Sequence, residues 1–122
     1  MTAGATVAAA TSAAAAVAIL AGRGPAVRMY SAADRTTGVS GHARLVSTRT
    51  GTQIDLTATG LPDHERCVLV AVANNRREIT RSWNTTRYGS ARMTVTTEFL
   101  ADQLTALRIE SGTGILLLNI RV

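Results

Sequence analysis

The chain has 122 residues, a length that fits one domain, and its net charge of +5 rests on thirteen arginines with no lysine at all. The arginines are spread from Arg23 to Arg121, with Arg76-Arg77 the only adjacent pair, and the aromatic residues are Tyr30, Trp83, Tyr88 and Phe99 alone. The clustered or aromatic-interleaved charge of a nucleic-acid surface is therefore missing, and the single cysteine, Cys67, excludes an internal disulfide.

Residues 1–22 carry no charged side chain, and half of them are Ala. As a helix they span ~33 Å at 1.5 Å per residue, enough for a bilayer core. Thr2, Thr6, Thr11 and Ser12 dilute the apolar character, and Val7, Val17, Ile19 and Leu20 supply most of it. Ala16-Val17-Ala18 offers a weak cleavage site, but no positive n-region precedes it. A transmembrane or membrane-proximal helix, a cleaved signal and a flexible leader all remain open, the helix being the leading expectation. Arg23 and Arg28 come directly after the segment. Taken alone, the positive-inside rule places the C-terminal domain in the cytoplasm.

Residues 23–122 form the globular part. From residue 27 the apolar pattern has period two, the mark of strands with one wet face. A strand near 41–48 leads through Arg49-Thr50-Gly51 into 52–59, where Ile54, Leu56 and Ala58 face one way and Gln53, Asp55, Thr57 and Thr59 the other. Gly60-Leu-Pro-Asp63 closes that strand. Cys67-Val-Leu-Val-Ala-Val-Ala73 is apolar on both faces, as suits a central strand, and Cys67 reads as a small buried hydrophobe rather than a nucleophile. Asn74-Asn75 is a two-residue connection, Asn tolerating the positive φ of tight hairpins. Trp83 is expected at the centre of the core, on the same parity as Ile79. Arg81 lies between them and must reach an edge, stack on an aromatic ring, or mark a break in the alternation. Met93 and Val95 face inward, residues 98–103 are the one candidate for a helical turn, and Leu107 and Ile109 alternate with Arg108 and Glu110. Ser111-Gly-Thr-Gly114 leads into a last strand with Leu116, Leu118, Ile120 and Val122 on one face. About seven short strands with regular turns and no crossover helices predict an all-β, antiparallel, immunoglobulin-like sandwich behind an Ala-rich helical segment.

No constellation for chemistry emerges. Gly38-Val-Ser-Gly-His42 displaces the second Gly of a nucleophile elbow by one position, and no helix comes after it. His42 and His64 are isolated from each other and do not form a metal site of the usual spacing. Asn84-Thr85-Thr86 matches a glycosylation sequon, a tripeptide that also arises by chance. No catalytic, cofactor-binding or metal-binding residue is nominated, and the expectation is a non-enzymatic domain without cofactor or nucleic-acid partner.

The order of small motifs is more informative. It runs from Tyr30 through Thr37-Gly-Val-Ser40, Gly51-Thr-Gln-Ile-Asp-Leu56 and Gly60-Leu-Pro62. It continues with Cys67-Val-Leu-Val-Ala-Val72, Arg76-Arg-Glu78, Trp83 and Tyr88-Gly89. Over residues 28–122 this resembles the C-terminal extracytoplasmic domain of actinobacterial transmembrane anti-sigma factors with an N-terminal zinc finger. The resemblance implies a β-rich outer domain that senses or modulates a signal. In such a protein it lies beyond one membrane helix, and a cytoplasmic zinc-binding half holds an extracytoplasmic-function sigma factor. The family's His-x3-Cys-x2-Cys motif is absent here, so a sigma factor is expected as an indirect partner only. Either Met1 is an internal or misassigned start, or the protein is a truncated or split relative. With an upstream basic flank, Arg23 and Arg28 would be outvoted and the β-domain would lie outside a single-pass cell membrane, anchored through residues 1–22. Two functions are expected in consequence: the sensory or regulatory outer domain of an anti-sigma factor, with a possible protein partner in the envelope, or a free-standing secreted or surface binding module.

Overall fold

The computed structural model describes residues 17–18, 26–87 and 89–122. Eight strands carry the fold: β1 Val27–Ala33, β2 Ser40–Ser47, β3 Thr52–Thr59, β4 Arg66–Ala73, β5 Arg76–Asn84, β6 Ala91–Thr97, β7 Ala106–Ser111 and β8 Leu116–Arg121. All pairings are antiparallel. Sheet I has the order β1-β2-β3-β6, and sheet II the order β8-β7-β4-β5. The helix expected over residues 1–22 lies outside the described residues except at Val17–Ala18. Those two residues form a short strand on the open edge of β1, Val17 opposite Met29 and Ala18 opposite Arg28.

The two sheets face each other across one core. Sheet I contributes Leu45, Ile54 and Leu56, and sheet II contributes Leu69, Leu107, Ile109, Leu118 and Ile120, each at most 1% exposed. Burying one such side chain stabilises the fold by roughly 1.5–3 kcal/mol, and alternation along the strands is what brings them to a single layer. The all-β sandwich is thus observed, but its strand order departs from the immunoglobulin-like expectation. In immunoglobulin domains the second connection already crosses between sheets. Here β1, β2 and β3 form a meander within sheet I before the chain crosses to β4.

Three local expectations are corrected. The strand Val27–Ala33 falls where the period-two pattern begins but makes an eighth strand beyond the seven or so expected, its alternation being faint because only Tyr30 in it is buried while Met29 faces solvent. Residues 98–103 form no helix. They hold a turn closed by the Gln103 N–H donating to Leu100 O at 2.9 Å, with Phe99 buried beside it. Trp83 is not the centre of the core but a half-buried residue packed against its rim, with its Nε1 enclosed and lacking an acceptor.

The reason for the last correction is a β-bulge. In the β4–β5 ladder Leu69 pairs with Arg81 and Val70 with Ile79, so Thr80 is the extra residue, its hydroxyl donating to Leu69 O at 3.1 Å. A bulge changes the parity of everything beyond it. Trp83 and Ile79 therefore face opposite ways, and Ile79 is 61% exposed. The Arg81 conflict is resolved by two of its three options together: the alternation breaks, and Arg81 reaches the sheet edge, where Nη2 donates to Thr94 O of β6 at 3.2 Å. A second shift between Leu116 and Leu118 adds Leu117 to the core and leaves Leu116 half-buried, against the even alternation expected there.

Two seams close the sandwich. At one, β5 meets β6 through the Arg81 bond, the Thr97 hydroxyl donating to the Glu78 carboxylate, and Arg76 lying 5.1 Å above the Phe99 ring. At the other, the Thr37 hydroxyl donates to Leu117 O at 2.7 Å. Gly60 (φ 80°) sits where a Cβ would come within 2.2 Å of Gly38 O, so only glycine fits this crossing of two turns.

Candidate functional site

The features that sequence reasoning weighed for chemistry all take structural positions. Gly38 (φ 79°) turns the chain into β2, and Val39 is buried. Cys67 lies in the core, where burial first and the nearby Glu65 second push its thiol pKa up, so the thiolate a nucleophile needs is disfavoured. Thr85 of the sequon is itself buried, its hydroxyl donating to Pro62 O and accepting from the Glu65 N–H. His42 and His64 are exposed, and among the described residues no group of three or more His, Cys, Asp or Glu side chains could hold a metal ion. Arg76 and Arg77 part company across β5, Arg76 toward Phe99 and Arg77 toward Glu110. Available surface is instead organised by the outer faces of the two sheets.

The outer face of sheet I is polar. Register sets Met29, Arg44, Asp55 and Thr94 in one row across four strands, and Ser31, His42, Thr57 and Arg92 in the next. An open depression of about 440 Å³ lies over these rows. At its middle Asp55 accepts from the Thr94 hydroxyl at 2.9 Å and from Arg44 Nη1 at 3.1 Å, with Gln53 Nε2 at 3.4 Å. The Thr94 bond chiefly holds the Asp55 carboxyl below its usual pKa; burial, the next largest effect, opposes it, and Arg44 and Gln53 lower it further. His42 and Arg92 project beside this network. The arrangement can hydrogen-bond polar ligands, but it sets no nucleophile against a base.

The outer face of sheet II is cationic and apolar. Along β4, Val68, Val70 and Val72 point outward, with Ile79 beside Val70 on β5. Arg66, Arg77, Arg108 and Arg121 share this face, and Glu110 is the one carboxylate among them. Glu110 is held by Arg77 Nη2 at 3.0 Å. Since Arg77 pairs with Val72 and Glu110 with Val68, this ion pair crosses β4 at the level of Val70, which is fully buried. Arg66 donates to the Ser82 hydroxyl at 3.3 Å, and the Arg108 Nε is enclosed without an acceptor. Sequence reasoning recognised Arg76-Arg77 and missed this face, because its arginines come from four strands and converge only through register.

No known protein family, curated protein or solved structure matches the chain.

Proposed function

We propose that the chain carries the extracytoplasmic sensory or regulatory domain of a membrane-bound anti-sigma factor and works by binding, not by catalysis. The observation that carries this reading is the interlocking of the segments on which the family resemblance rests. Gly60-Leu-Pro62 and Gly89 meet through the Leu61 N–H donating to Gly89 O at 2.8 Å, and Gly60 packs on Gly38 of the Thr37–Ser40 segment. Thr52 donates to Phe99 O at 2.8 Å, Tyr30 and Cys67 are buried in the shared core, and Trp83 closes its rim. Motifs scattered over the sequence thus serve one scaffold, which is compatible with a shared domain. A free-standing secreted or surface module would use the same scaffold without a link to transcription.

The test is made in the native host. The codons for residues 26–122 are deleted in frame, and transcription from the promoters of every extracytoplasmic-function sigma factor of the host is read. A changed basal level or a lost induction is expected. Unchanged transcription would overturn the regulatory reading and leave the free-standing module.

A further inference from the structure

We propose that residues 13–18 are the partner of the open β1 edge, adding a strand that completes sheet I and closes it to other chains. The hydrogen-bond phase of β1 is fixed at both of its ends. The Ser47 N–H donates to Ala26 O at 3.1 Å and the Asp34 N–H to Val39 O at 2.8 Å, and the β1–β2 ladder between them runs without a register shift. Bonded residues alternate along an antiparallel pair, so Arg28, Tyr30 and Ala32 turn their N–H and C=O groups toward β2. Val27, Met29, Ser31 and Ala33 turn theirs toward the edge. Val17 lies opposite Met29, where two residues can exchange main-chain bonds. Ser31 and Ala33 are exposed, and among the described residues nothing pairs with their edge-facing groups.

A row of unpaired main-chain groups is a template for another strand, and the chain itself supplies one in register. Val17 opposite Met29 and Ala18 opposite Arg28 run antiparallel to β1. Carried on without a shift, this pairing sets Ala15 opposite Ser31 and Ala13 opposite Ala33, the two positions whose groups are free. In the other direction it sets Ile19 opposite Val27. Gly22, Gly24 and Pro25 lie between those two residues and suit a chain reversal.

Residues 13–18 are five alanines and one valine. Alanine gains little from a pleated surface, so this pairing rests on main-chain bonds. A second copy or a foreign strand would have to displace Val17–Ala18, which already sit on the edge. None of this requires the anti-sigma reading. It does compete with the membrane-spanning use expected for the same residues, because a residue paired in sheet I cannot at the same time lie in a helix that crosses a bilayer.

The test is amide hydrogen exchange of the full chain in aqueous buffer, read by NMR at Ser31 and Ala33. Both amides are expected to exchange about tenfold or more slowly than exposed, unpaired amides, at a rate independent of protein concentration. Ala13→Pro combined with Ala15→Pro removes the two N–H groups that would face Ala33 and Ser31. This variant should return both amides to rapid exchange, while Tyr30 and Ala32 stay protected by β2 and show that the sandwich is folded. Thr6→Pro, outside the pairing segment, should change nothing. The proposal is overturned by any of four results: rapid exchange at Ser31 and Ala33 in the unaltered chain, protection that rises with protein concentration and so assigns the edge to a second copy, protection that survives the proline pair, or equal loss with Thr6→Pro.

Discussion

The β2–β3 hairpin and the β4–β5 hairpin are built from strands of similar length, yet they obey the sequence to different degrees. In β2–β3 the ladder runs unbroken from Ser40–Thr59 to Ser47–Thr52, and every second residue from Thr52 to Ala58 is buried. In β4–β5 one extra residue, Thr80, reverses the parity of Arg81, Ser82 and Trp83 relative to Ile79. The comparison teaches that alternation is a reliable guide only between register shifts. An unbroken ladder turns pattern directly into burial. A bulge lets an apolar residue face water and a charged residue share the inward parity without either being misplaced.

The sharpest way to test this contrast is truncation on the regular side. Leu56→Ala removes a fully buried side chain from the middle of β3. It should cost about 2–5 kcal/mol in equilibrium denaturation, as for other buried leucines. On the bulged side, Trp83→Ala should cost less, roughly 1–3 kcal/mol. Its ring lies at the rim, and the enclosed Nε1, which has no acceptor, offsets part of its apolar contribution. If the Trp83 variant proved the more damaging of the two, the rim assignment would be wrong and the parity argument with it.

A smaller effect isolates the bulge itself. Thr80→Val keeps the shape and β-branching while deleting the hydroxyl bond to Leu69 O. The expected loss is about 0.5–1.5 kcal/mol, the net worth of one hydrogen bond. No loss at all would mean that the bulge is set by the surrounding pairings and owes nothing to this side chain.

The smallest effect lies on the outer face of the regular hairpin. The Asp55 carboxyl has a lowered pKa in the folded state, so its stabilising contribution is complete above its unfolded value near 4 and is lost as pH falls through the folded value. Asp55→Asn should therefore flatten the stability curve below about pH 4 while changing neutral-pH stability little, because the site is partly exposed and screened. Parallel acid titrations of wild type and variant that superimpose would show that the Thr94–Asp55–Arg44 row carries no linkage.

Much of the fold was legible in the residues for the same reason that β2–β3 is regular. Ile54, Leu56 and Ala58 declare their face, and so do Leu107 and Ile109. The turns at Asn74 (φ 51°) and Gly114 (φ 94°) declare themselves by their residue types. Three things were not legible. The pattern that starts at residue 27 did not mark β1 off as a strand of its own, because Met29 is 53% exposed and the small Ala32 is all that joins Tyr30 on the apolar inner side. The bulge at Thr80 hides because threonine suits an ordinary strand equally well. The cationic face of sheet II hides because Arg66, Arg77, Arg108 and Arg121 are separated by up to 55 positions, and only the pairing of β5, β4, β7 and β8 assembles them.

The strand order has a consequence for how the chain reaches this structure. β3 must wait for β6 to complete sheet I, and β4 must wait for β7 to complete sheet II. The β4–β5 hairpin lies between the first two in sequence, and β5 and β6 lie between the second two. Neither sheet can be finished before the other has begun. Loop closure must therefore be spent on both before the shared core repays it, which favours a single cooperative transition and places folding in the millisecond-to-second range of domains dominated by distant strand pairings.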